Sequence, residues 1–300
     1  MDRVNNLKQA LPYIQRHRGK TFVIKLGGRI LQDRAARLAL AEDMTLLHNV
    51  GIHVVVVHGG GPQMNELADR LGIDQEVVGG RRVTNDDTLD MAKMLFRGRL
   101  NTDLVSAFRE FDTLAVGLSG GDGGLVEATR RPEVDVEDDE GVVRKVDFGH
   151  VGDVVRVHPE IITTLTGAGY VPVVCSLAST PRGVVLNVNA DTIAERIAVE
   201  LGADKLFFLT DAPGLMKDVD DPGSLVSYCD VPELRALIES GGVAGGMRPK
   251  LAAAIRALEG GVSRVHIVSA WQPSAMLLEV FTNEGCGTLV VQQKSEEAPS

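Results

Sequence analysis

The feature that most constrains the fold is a regular alternation between short, β-branched runs and longer segments with helical periodicity. Residues 21–26 and 52–57 are almost continuously apolar, which is typical of strands buried on both faces of a sheet. Between these two runs, Leu40, Met44 and Leu47 recur at the spacing of one helix face. The alternation therefore predicts an α/β fold, a three-layer α/β/α sandwich around a mostly parallel central sheet.

The same patterns recur along the rest of the chain. They predict further strands at residues 114–118, 170–175, 205–209 and 264–268, and helices at residues 33–49, 62–71, 86–97, 101–110, 190–201, 231–240, 250–258 and 274–281. Residues 124–157 are charged and contain turn signals, so they predict a β-hairpin excursion, either a flap near a site or a solvated insertion. A turn and a short strand at residues 178–186 predict a boundary between two lobes near residue 180.

Composition excludes several classes of function. The chain has 31 Lys and Arg against 41 Asp and Glu, a net charge of −10, which argues against nucleic-acid binding but leaves a local site for a small anion open. Three scattered cysteines and seven histidines show no metal-ligand spacing, so neither a disulfide framework nor a metal site is predicted. The polar N-terminal segment and the shortness of the apolar runs predict a cytoplasmic protein with no membrane partner.

Glycine-rich segments follow two of the predicted strands, at the edge where parallel sheets bind their ligands. They are K-L-G-G at residues 25–28 and H-G-G-G-P at residues 58–62. Glycine lets the backbone approach an anion closely, and a helix that begins after such a segment adds its positive end. These segments predict anion binding, although a lysine at a strand end and a tight turn are the plainer alternatives.

Polar side chains are clustered in four further segments. They are G-G-R-R-V-T at residues 79–84, N-V-N-A-D at 187–191, L-T-D-A-P-G-L-M at 209–216 and G-G-M-R-P-K at 245–250. An arginine next to glycines suits a carboxylate, alternating amides and a carboxylate share one face, and a lysine in the first turn of a helix favours a bound anion. Each segment also has a plainer alternative. These are a surface arginine pair for residues 79–84, a helix cap for 187–191, a Pro-Gly turn for 209–216 and a solvated lysine for 245–250.

Together these segments resemble the motifs of the amino acid kinase family, over about residues 20–291. The shared motifs, in order, are K-L-G-G, V-H-G-G-G-P, R-V-T, G-L-S-G-x-D-G, N-x-N-A-D, L-T-D-x-x-G-L and G-G-M-x-P-K. The resemblance implies transfer of the γ-phosphoryl group of ATP to the side-chain carboxylate of N-acetyl-L-glutamate, a step of arginine biosynthesis, with Mg²⁺ carried by the nucleotide. It also implies a substrate lobe at residues 19–180 and an ATP lobe at residues 181–300.

The resemblance also implies a role for individual residues. Three would be catalytic: Lys25 at the transferring phosphoryl group, Lys250 at the leaving phosphate, and Asp191 holding both lysines. The phosphate would meet the backbone of Gly27 and Gly28, and the substrate would be bound by Gly60, Gly61, Arg82, Asn187 and Asn189. ATP would lie against Thr210, Asp211, Gly214, Leu215, Met216, Gly245 and Met247.

The N-terminal segment, residues 1–18, carries an apolar stripe at helical spacing, which includes Leu11 and Ile14. It predicts a helix covered by a partner chain or by its own lobe. In the resembled family an added N-terminal helix accompanies arginine-inhibited hexamers. The resemblance thus implies a homo-oligomer, a dimer or a hexamer, and an L-arginine inhibitor site at Tyr13, Glu279 and Gly285.

Other features of the sequence keep alternatives open. Ser269-Ala270-Trp271 resembles the arginine-insensitive dimeric members of the family instead of the regulated ones. A kinase for another acylated acidic amino acid, of the succinylglutamate or aminoadipate type, is the nearest alternative function. The other is a non-catalytic, arginine-sensing module with the kinase fold, against which the retained lysines and aspartate argue.

Overall fold

The computed structural model describes residues 2–78, 81–137, 143–218, 220–243, 245–282 and 285–294. Gly79, Gly80 and the tip of the predicted hairpin at residues 138–142 therefore lie outside the described residues. The helices are α1 (Asp2–His17), α2 (Arg34–Asn49), α3 (Gly61–Leu71), α4 (Asp86–Ala92), α5 (Asn101–Arg109), α6 (Glu160–Gly167), α7 (Ala190–Glu200), α8 (Val231–Glu239), α9 (Met247–Glu259) and α10 (Ala275–Phe281). None of the helices in the described ranges is long and apolar enough to cross a membrane.

The strands form one large sheet and three small ones. They are β1 (Thr21–Leu26), β2 (His53–His58), β3 (Val77–Val78), β4 (Arg81–Arg82), β5 (Ala115–Ser119), β6 (Val126–Arg130), β7 (Val134–Glu137), β8 (Val143–Val146), β9 (Gly152–Val157), β10 (Val171–Cys175), β11 (Leu177–Ser179), β12 (Val185–Asn187), β13 (Lys205–Thr210), β14 (Tyr228–Asp230), β15 (Arg264–Ser269) and β16 (Thr288–Val291). The large sheet has the order β14-β16-β15-β13-β1-β2-β10-β5. The six strands from β15 to β5 are parallel, and β16 runs antiparallel to β15, so the mostly parallel sheet is confirmed.

The two faces of this sheet are covered by different helices. Phe22, Ile24 and Leu26 of β1 belong to the core beneath α2, α3 and α10, whereas Val23 belongs to the core beneath α7 and α9. Each such side chain contributes roughly 1.5–3 kcal/mol when fully buried. The predicted three-layer sandwich is therefore confirmed. Because side chains alternate along a strand, Lys25 lies on the same face as Val23, toward α7 and α9.

Two helical regions differ from the predictions. The chain between α4 and α5 was predicted to break near Gly98, but residues 93–100 form a π-helical segment that joins the two helices, with buried Leu95 and Leu100 holding it on the sheet. Helix α6 was not predicted, because its sequence EIITTLTG is rich in β-branched residues. There the hydroxyl groups of Thr164 and Thr166 donate to backbone carbonyls one turn earlier, which satisfies them within the helix.

The predicted β-hairpin excursion is confirmed. Strands β6 and β9 pair antiparallel at its base, and β7 and β8 pair antiparallel further out. The base is packed against the R-V-T segment, because Thr84 N–H donates to Phe148 O at 3.0 Å and His150 N–H donates to Thr84 O at 2.7 Å. Phe148 is fully buried there. The predicted lobe boundary near residue 180 falls in the turn between β11 and β12, and the roles of the two lobes stay predictions.

Candidate active site

Lys25, Asp191 and Lys250 meet beneath the carboxyl end of β1. Lys25 Nζ lies 2.8 Å from Asp191 Oδ1, and Lys250 Nζ lies 3.2 Å from both carboxylate oxygens. The three side chains are only about a tenth exposed. Lys250 Nζ also lies 5.1 Å from the ring centroid of Phe208 on β13. The structure thus brings together residues that are 59 and 166 positions apart in the sequence.

Local sequence explains the positions of Asp191 and Lys250, the two residues of this cluster that lie on helices. Asn189 is the N-cap of α7, and its side-chain oxygen accepts from the backbone N–H of Asp191 at 2.8 Å and of Thr192 at 3.3 Å. Asp191 therefore lies in the first turn of α7, where the helix dipole favours a carboxylate. Lys250 lies in the first turn of α9, where the dipole disfavours an ammonium, and Asp191 offsets that cost.

The cluster carries a net positive charge in a buried place. Burial raises the pKa of Asp191, but the two lysines outweigh burial and hold this pKa at about 2. Burial lowers the pKa of Lys250 to about 8, although Asp191 opposes the shift. Near neutral pH two ammonium groups thus share one carboxylate, and the surplus charge favours an anion at the exposed side of the cluster.

The glycines after β1 are held by close packing. Gly27 N–H donates to Leu209 O at 3.1 Å, so in this structure it is engaged in the sheet, which argues against its predicted donation to phosphate. A Cβ on Gly28 would lie 2.5 Å from Cδ of Pro62, so glycine is required where this segment contacts the start of α3. Gly28 O accepts from Gln63 Nε2 at 2.5 Å, which ties the two glycine-rich segments together.

The triple-glycine segment places a helix N-terminus at the site. Helix α3 begins at Gly61, and the N–H groups of a first helical turn have no partner within the helix. A Cβ on Gly60 would lie 2.5 Å from Leu100 and 2.7 Å from Phe96, so glycine at this position lets the segment pass close under the π-helical stretch. The arrangement suits an anion at the end of α3, as the sequence predicts.

His58, whose role the sequence leaves open, is part of a buried support for this segment. Its Nδ1 donates to Gly59 O at 3.0 Å, and its Nε2 accepts from Asn101 Nδ2 at 3.1 Å. Burial lowers the pKa of His58 to about 4, which keeps the ring neutral. Asn101 was not predicted, and a Cβ on Gly117 would overlap its amide. The signal in the sequence that could have pointed to Asn101 is a polar residue that interrupts an apolar helix face.

Three of the five predicted substrate residues line a cavity of about 500 Å³, whereas Gly60 and Gly61 are not among its lining residues. Arg82, Asn187 and Asn189 are among its lining residues, together with Arg131, Arg196 and Arg256. Arg82 Nη2 donates to Asn65 Oδ1 at 2.5 Å, whereas its Nη1 is buried and has no hydrogen-bond partner in the part of the chain described. A buried guanidinium N–H without a partner favours a carboxylate from a ligand.

The predicted ATP segment, residues 210–216, leaves the sheet after β13. Thr210 Oγ1 accepts from Ala212 N–H at 3.0 Å and donates to Ala212 O at 2.9 Å, which fixes the turn. Leu215 is buried, its N–H donates to Thr288 Oγ1 at 2.8 Å and its carbonyl accepts from Val226 N–H at 2.8 Å, so the structure engages this residue in the core and argues against its predicted contact with ATP. Gly245, at the other predicted contact, has a φ of +58°, which favours glycine.

The three residues of the predicted arginine site line one cavity of about 170 Å³ between α1 and the end of the sheet. Tyr13 lies on α1, Glu279 on α10, and Gly285 beyond α10. A Cβ on Gly285 would lie 3.1 Å from Glu279 Oε1, and its φ is +56°. Glycine is therefore required beside that carboxylate.

A buried chain of polar groups forms the floor of this cavity. Lys205 Nζ donates to His266 Nε2 at 3.1 Å, and His266 Nδ1 donates to Glu279 Oε2 at 2.8 Å. Burial raises the pKa of Glu279, but the hydrogen bond from His266 and the N–H groups of Cys286 and Gly287 hold it at about 2. Burial lowers the pKa of Lys205 to about 8. One cavity thus offers both an ammonium and a carboxylate.

The sequence matches a family model and the sequences of known enzymes. Residues 20–269 match the model of the amino acid kinase family. The chain is 47% identical to the acetylglutamate kinase of Myxococcus xanthus, over 99% of this chain and 96% of that protein. It is 48% identical to the acetylglutamate kinase of Parasynechococcus marenigrum, over 96% of this chain and 95% of that protein.

Solved structures resemble the whole chain. The N-acetylglutamate synthase of Neisseria gonorrhoeae, complexed with coenzyme A and N-acetylglutamate, is 27% identical, with a TM-score of 0.83 over 97% of this chain. This chain spans 64% of the length of that synthase, which has also been solved with coenzyme A and L-arginine. A carbamate kinase from Giardia lamblia, bound to AMP-PNP, shares the fold at 20% identity and a TM-score of 0.61.

Proposed function

The chain belongs to the amino acid kinase family, and on that premise we propose that it transfers the γ-phosphoryl group of ATP to the side-chain carboxylate of N-acetyl-L-glutamate. The product is N-acetyl-L-glutamyl 5-phosphate, an intermediate of arginine biosynthesis. The observation that carries the proposal is the pairing of Lys25 and Lys250 on Asp191, next to the helix N-terminus of the triple-glycine segment. Acetylglutamate kinases match this chain over nearly its full length.

The reaction needs charge neutralisation and alignment more than proton transfer. A carboxylate is ionised at neutral pH, so its oxygen attacks the γ-phosphorus without a general base. The bond from phosphorus to the bridging oxygen breaks, and that electron pair leaves with ADP. Lys25 would stabilise the oxygens of the transferring group, Lys250 the leaving phosphate, and Asp191 would hold both ammonium groups in place.

The remaining predicted contacts fit the same scheme. The free Nη1 of Arg82 would take the α-carboxylate of N-acetyl-L-glutamate, and Asn187 would bind its polar groups. The side-chain oxygen of Asn189 caps α7, so Asn189 would bind the substrate through its amide N–H₂ group. The likeness to the kinase family implies that Mg²⁺ would come with the nucleotide.

The direct test is acyl-phosphate formation, trapped with hydroxylamine as the hydroxamate. Purified protein is given MgATP and N-acetyl-L-glutamate, with N-succinyl-L-glutamate and N-acetyl-aminoadipate run beside it. We expect turnover on the acetylated glutamate and at least about tenfold lower kcat/KM on the other two, since each adds bulk or charge to a fitted pocket. Turnover on none of the three would contradict the proposal, and preference for another acyl compound would change the substrate.

The rate should depend on pH through Lys250. Its pKa of about 8 belongs to the free enzyme, and kcat/KM reports groups of the free enzyme. We therefore expect kcat/KM for MgATP to fall as the pH rises through about 8, by roughly tenfold per pH unit above it. Lys250→Arg, measured over the same range, keeps its charge and should lack this fall at a lower absolute rate. A wild-type profile that stays flat to pH 9.5 would count against Lys250 acting as an ammonium.

We also propose that L-arginine binds the cavity formed by Tyr13, Glu279 and Gly285. The carboxylate of Glu279 suits a guanidinium group, and the ammonium of Lys205 suits an amino-acid carboxylate. The synthase from Neisseria gonorrhoeae, which shares this fold, has been solved with L-arginine. Binding at this cavity would act across α1 and α10, which contact one another.

Removing the charge of Glu279 should weaken the arginine response. We expect Glu279→Gln to raise the arginine concentration for half-inhibition by roughly tenfold to a hundredfold, because a charge-assisted hydrogen bond is lost. Glu239→Gln, at an exposed position of α8, is the matched control and should be inhibited like wild type. If arginine inhibits Glu279→Gln as strongly as wild type, its site is elsewhere. If it inhibits neither protein, the kinase proposal stands without the effector.

Finally, we propose that the protein is a homo-oligomer. Leu11 of α1 is 49% exposed, while Ile14 is partly buried, so the apolar stripe of this helix is only partly covered by its own chain. Light scattering of wild type and Leu11→Glu distinguishes a dimer from a hexamer and tests whether α1 takes part in the assembly.

A further inference from the structure

Trp271 is the single tryptophan of the sequence, and it follows β15. Its side chain is 47% exposed, although a tryptophan ring is usually largely buried. The backbone beneath it is fixed, because Ala270 N–H donates to Thr210 O at 2.7 Å and Trp271 N–H donates to Ser269 Oγ at 3.2 Å. A rigid, half-exposed aromatic residue thus stands beside the start of segment 210–216.

Trp271 is part of a bridge of three side chains. Its indole N–H donates to Asp211 Oδ1 at 3.1 Å, and Asp211 Oδ2 lies 3.6 Å from Nε of Arg29. Arg29 follows β1, Asp211 follows β13 and Trp271 follows β15, which are adjacent strands. This Arg29–Asp211–Trp271 bridge therefore crosses the ends of three parallel strands, at the edge where such sheets bind ligands.

The bridge explains how an acidic residue is tolerated where a triphosphate is expected. Burial dominates the pKa of Lys250 and lowers it, but the charge of Asp211 opposes that shift, so this carboxylate is within electrostatic reach of the site. A free carboxylate at this distance would repel an anionic ligand. The indole N–H on one oxygen holds the orientation of Asp211, and the nearby charge of Arg29 partly neutralises it.

The backbone of segment 210–216 is hydrogen-bonded near both of its ends. What these bonds leave open is the orientation of the Asp211 carboxylate. Thr210 is hydrogen-bonded to Ala212 on one side, and Leu215 is hydrogen-bonded to Thr288 on the other. We propose that Trp271 is a positioning residue of the nucleotide site, whose indole N–H holds the Asp211 carboxylate in one orientation at the start of segment 210–216. The inference rests on the proposed function, because it takes this segment to be the one that meets ATP.

Equilibrium binding of MgADP tests this without any turnover. In calorimetry, Trp271→Phe is expected to bind MgADP roughly threefold to tenfold more weakly, as for the loss of one partly exposed hydrogen bond to a charged group. Its affinity for N-acetyl-L-glutamate should not change, and Trp271→His, which keeps a ring N–H, should recover part of the loss. Because the chain has one tryptophan, wild-type emission should change on titration with MgADP, with the same Kd as calorimetry gives.

Two comparisons make the result specific. Gln272→Ala, at the exposed neighbouring position, should bind MgADP like wild type. Asp211→Ala removes the acceptor of the same hydrogen bond, so Trp271→Phe combined with it should bind no more weakly than the weaker single variant. The Asp211→Ala measurement also serves if Trp271→Phe melts at a lower temperature than wild type.

The outcomes separate this inference from the proposed function. MgADP binding that is unaffected by Trp271→Phe, or effects of the two substitutions that simply add, would overturn the positioning role and leave the kinase intact. A wild-type chain that binds no MgADP at all would overturn both.

Discussion

Replacing Lys25 with alanine should reduce kcat by more than about a hundredfold, because about 3 kcal/mol or more of transition-state stabilisation is lost. Lys25 is held 2.8 Å from Asp191 and is largely buried, so its ammonium is in place before the reaction begins. A preorganised charge in a place that excludes water stabilises the oxygens of a transferring phosphoryl group far more than the same charge in solvent. We therefore expect the loss in kcat, measured with saturating MgATP and N-acetyl-L-glutamate.

The fold should survive this substitution. Lys25→Ala leaves Lys250 paired with Asp191, a neutral pair in place of a cluster with a surplus positive charge. Lys20→Ala, at an exposed position just before β1, is the matched control and should turn over like wild type. Circular dichroism and the melting midpoint verify that both variants are folded. A Lys25→Ala enzyme with kcat within tenfold of wild type would remove Lys25 from the chemistry.

The layers of the fold are visible in the sequence because they depend on local periodicity. The almost continuous apolar run of β1 and the helical stripe of α2 are properties of a few neighbouring residues, and both were predicted. Asp33, where the predicted helix 33–49 begins, is the N-cap of α2, and its side chain accepts from Ala36 N–H at 2.8 Å. Elements that depend on tertiary contacts were missed: α6, whose threonines favour strands elsewhere, and the three-residue strand β14.

The sequence predicts only part of the candidate active site. Motif order predicts that Lys25, Asp191 and Lys250 share a site, but it does not give the two short ion pairs that join them, since these arise only when α7 and α9 pack on the sheet. The engagement of Gly27 N–H by Leu209 O depends on the pairing of β1 with β13, which no local pattern reports. The same holds for Trp271, whose partner lies 60 positions earlier in the sequence.

Asp191→Asn is the substitution with the largest expected effect on stability. It removes the one carboxylate that pairs with Lys25 and Lys250 and leaves two buried ammonium groups close together. Breaking a buried ion pair by removing one partner costs about 3–5 kcal/mol of unfolding free energy. Turnover should also fall, because both lysines lose the group that positions them. Asp90→Asn, which breaks an exposed pair with Lys93, is the matched control and should cost less than about 0.5 kcal/mol.

The pH dependence of unfolding tests whether the loss of stability in Asp191→Asn comes from the unpaired charges. In wild type the pKa of Asp191 is about 2, below its ordinary 3.8, so its contribution is complete above about pH 4 and is lost as the pH falls toward 2. In Asp191→Asn the charge that opposes the effect of burial on Lys250 is lost, so the pKa of Lys250 falls further below that of the unfolded chain, the unfolded state binds more protons and stability rises with pH. Urea unfolding at pH 6 and pH 8 should therefore show a larger deficit at pH 6. A deficit below about 1 kcal/mol, or one that is equal at both pH values, would contradict a charged cluster held together by Asp191.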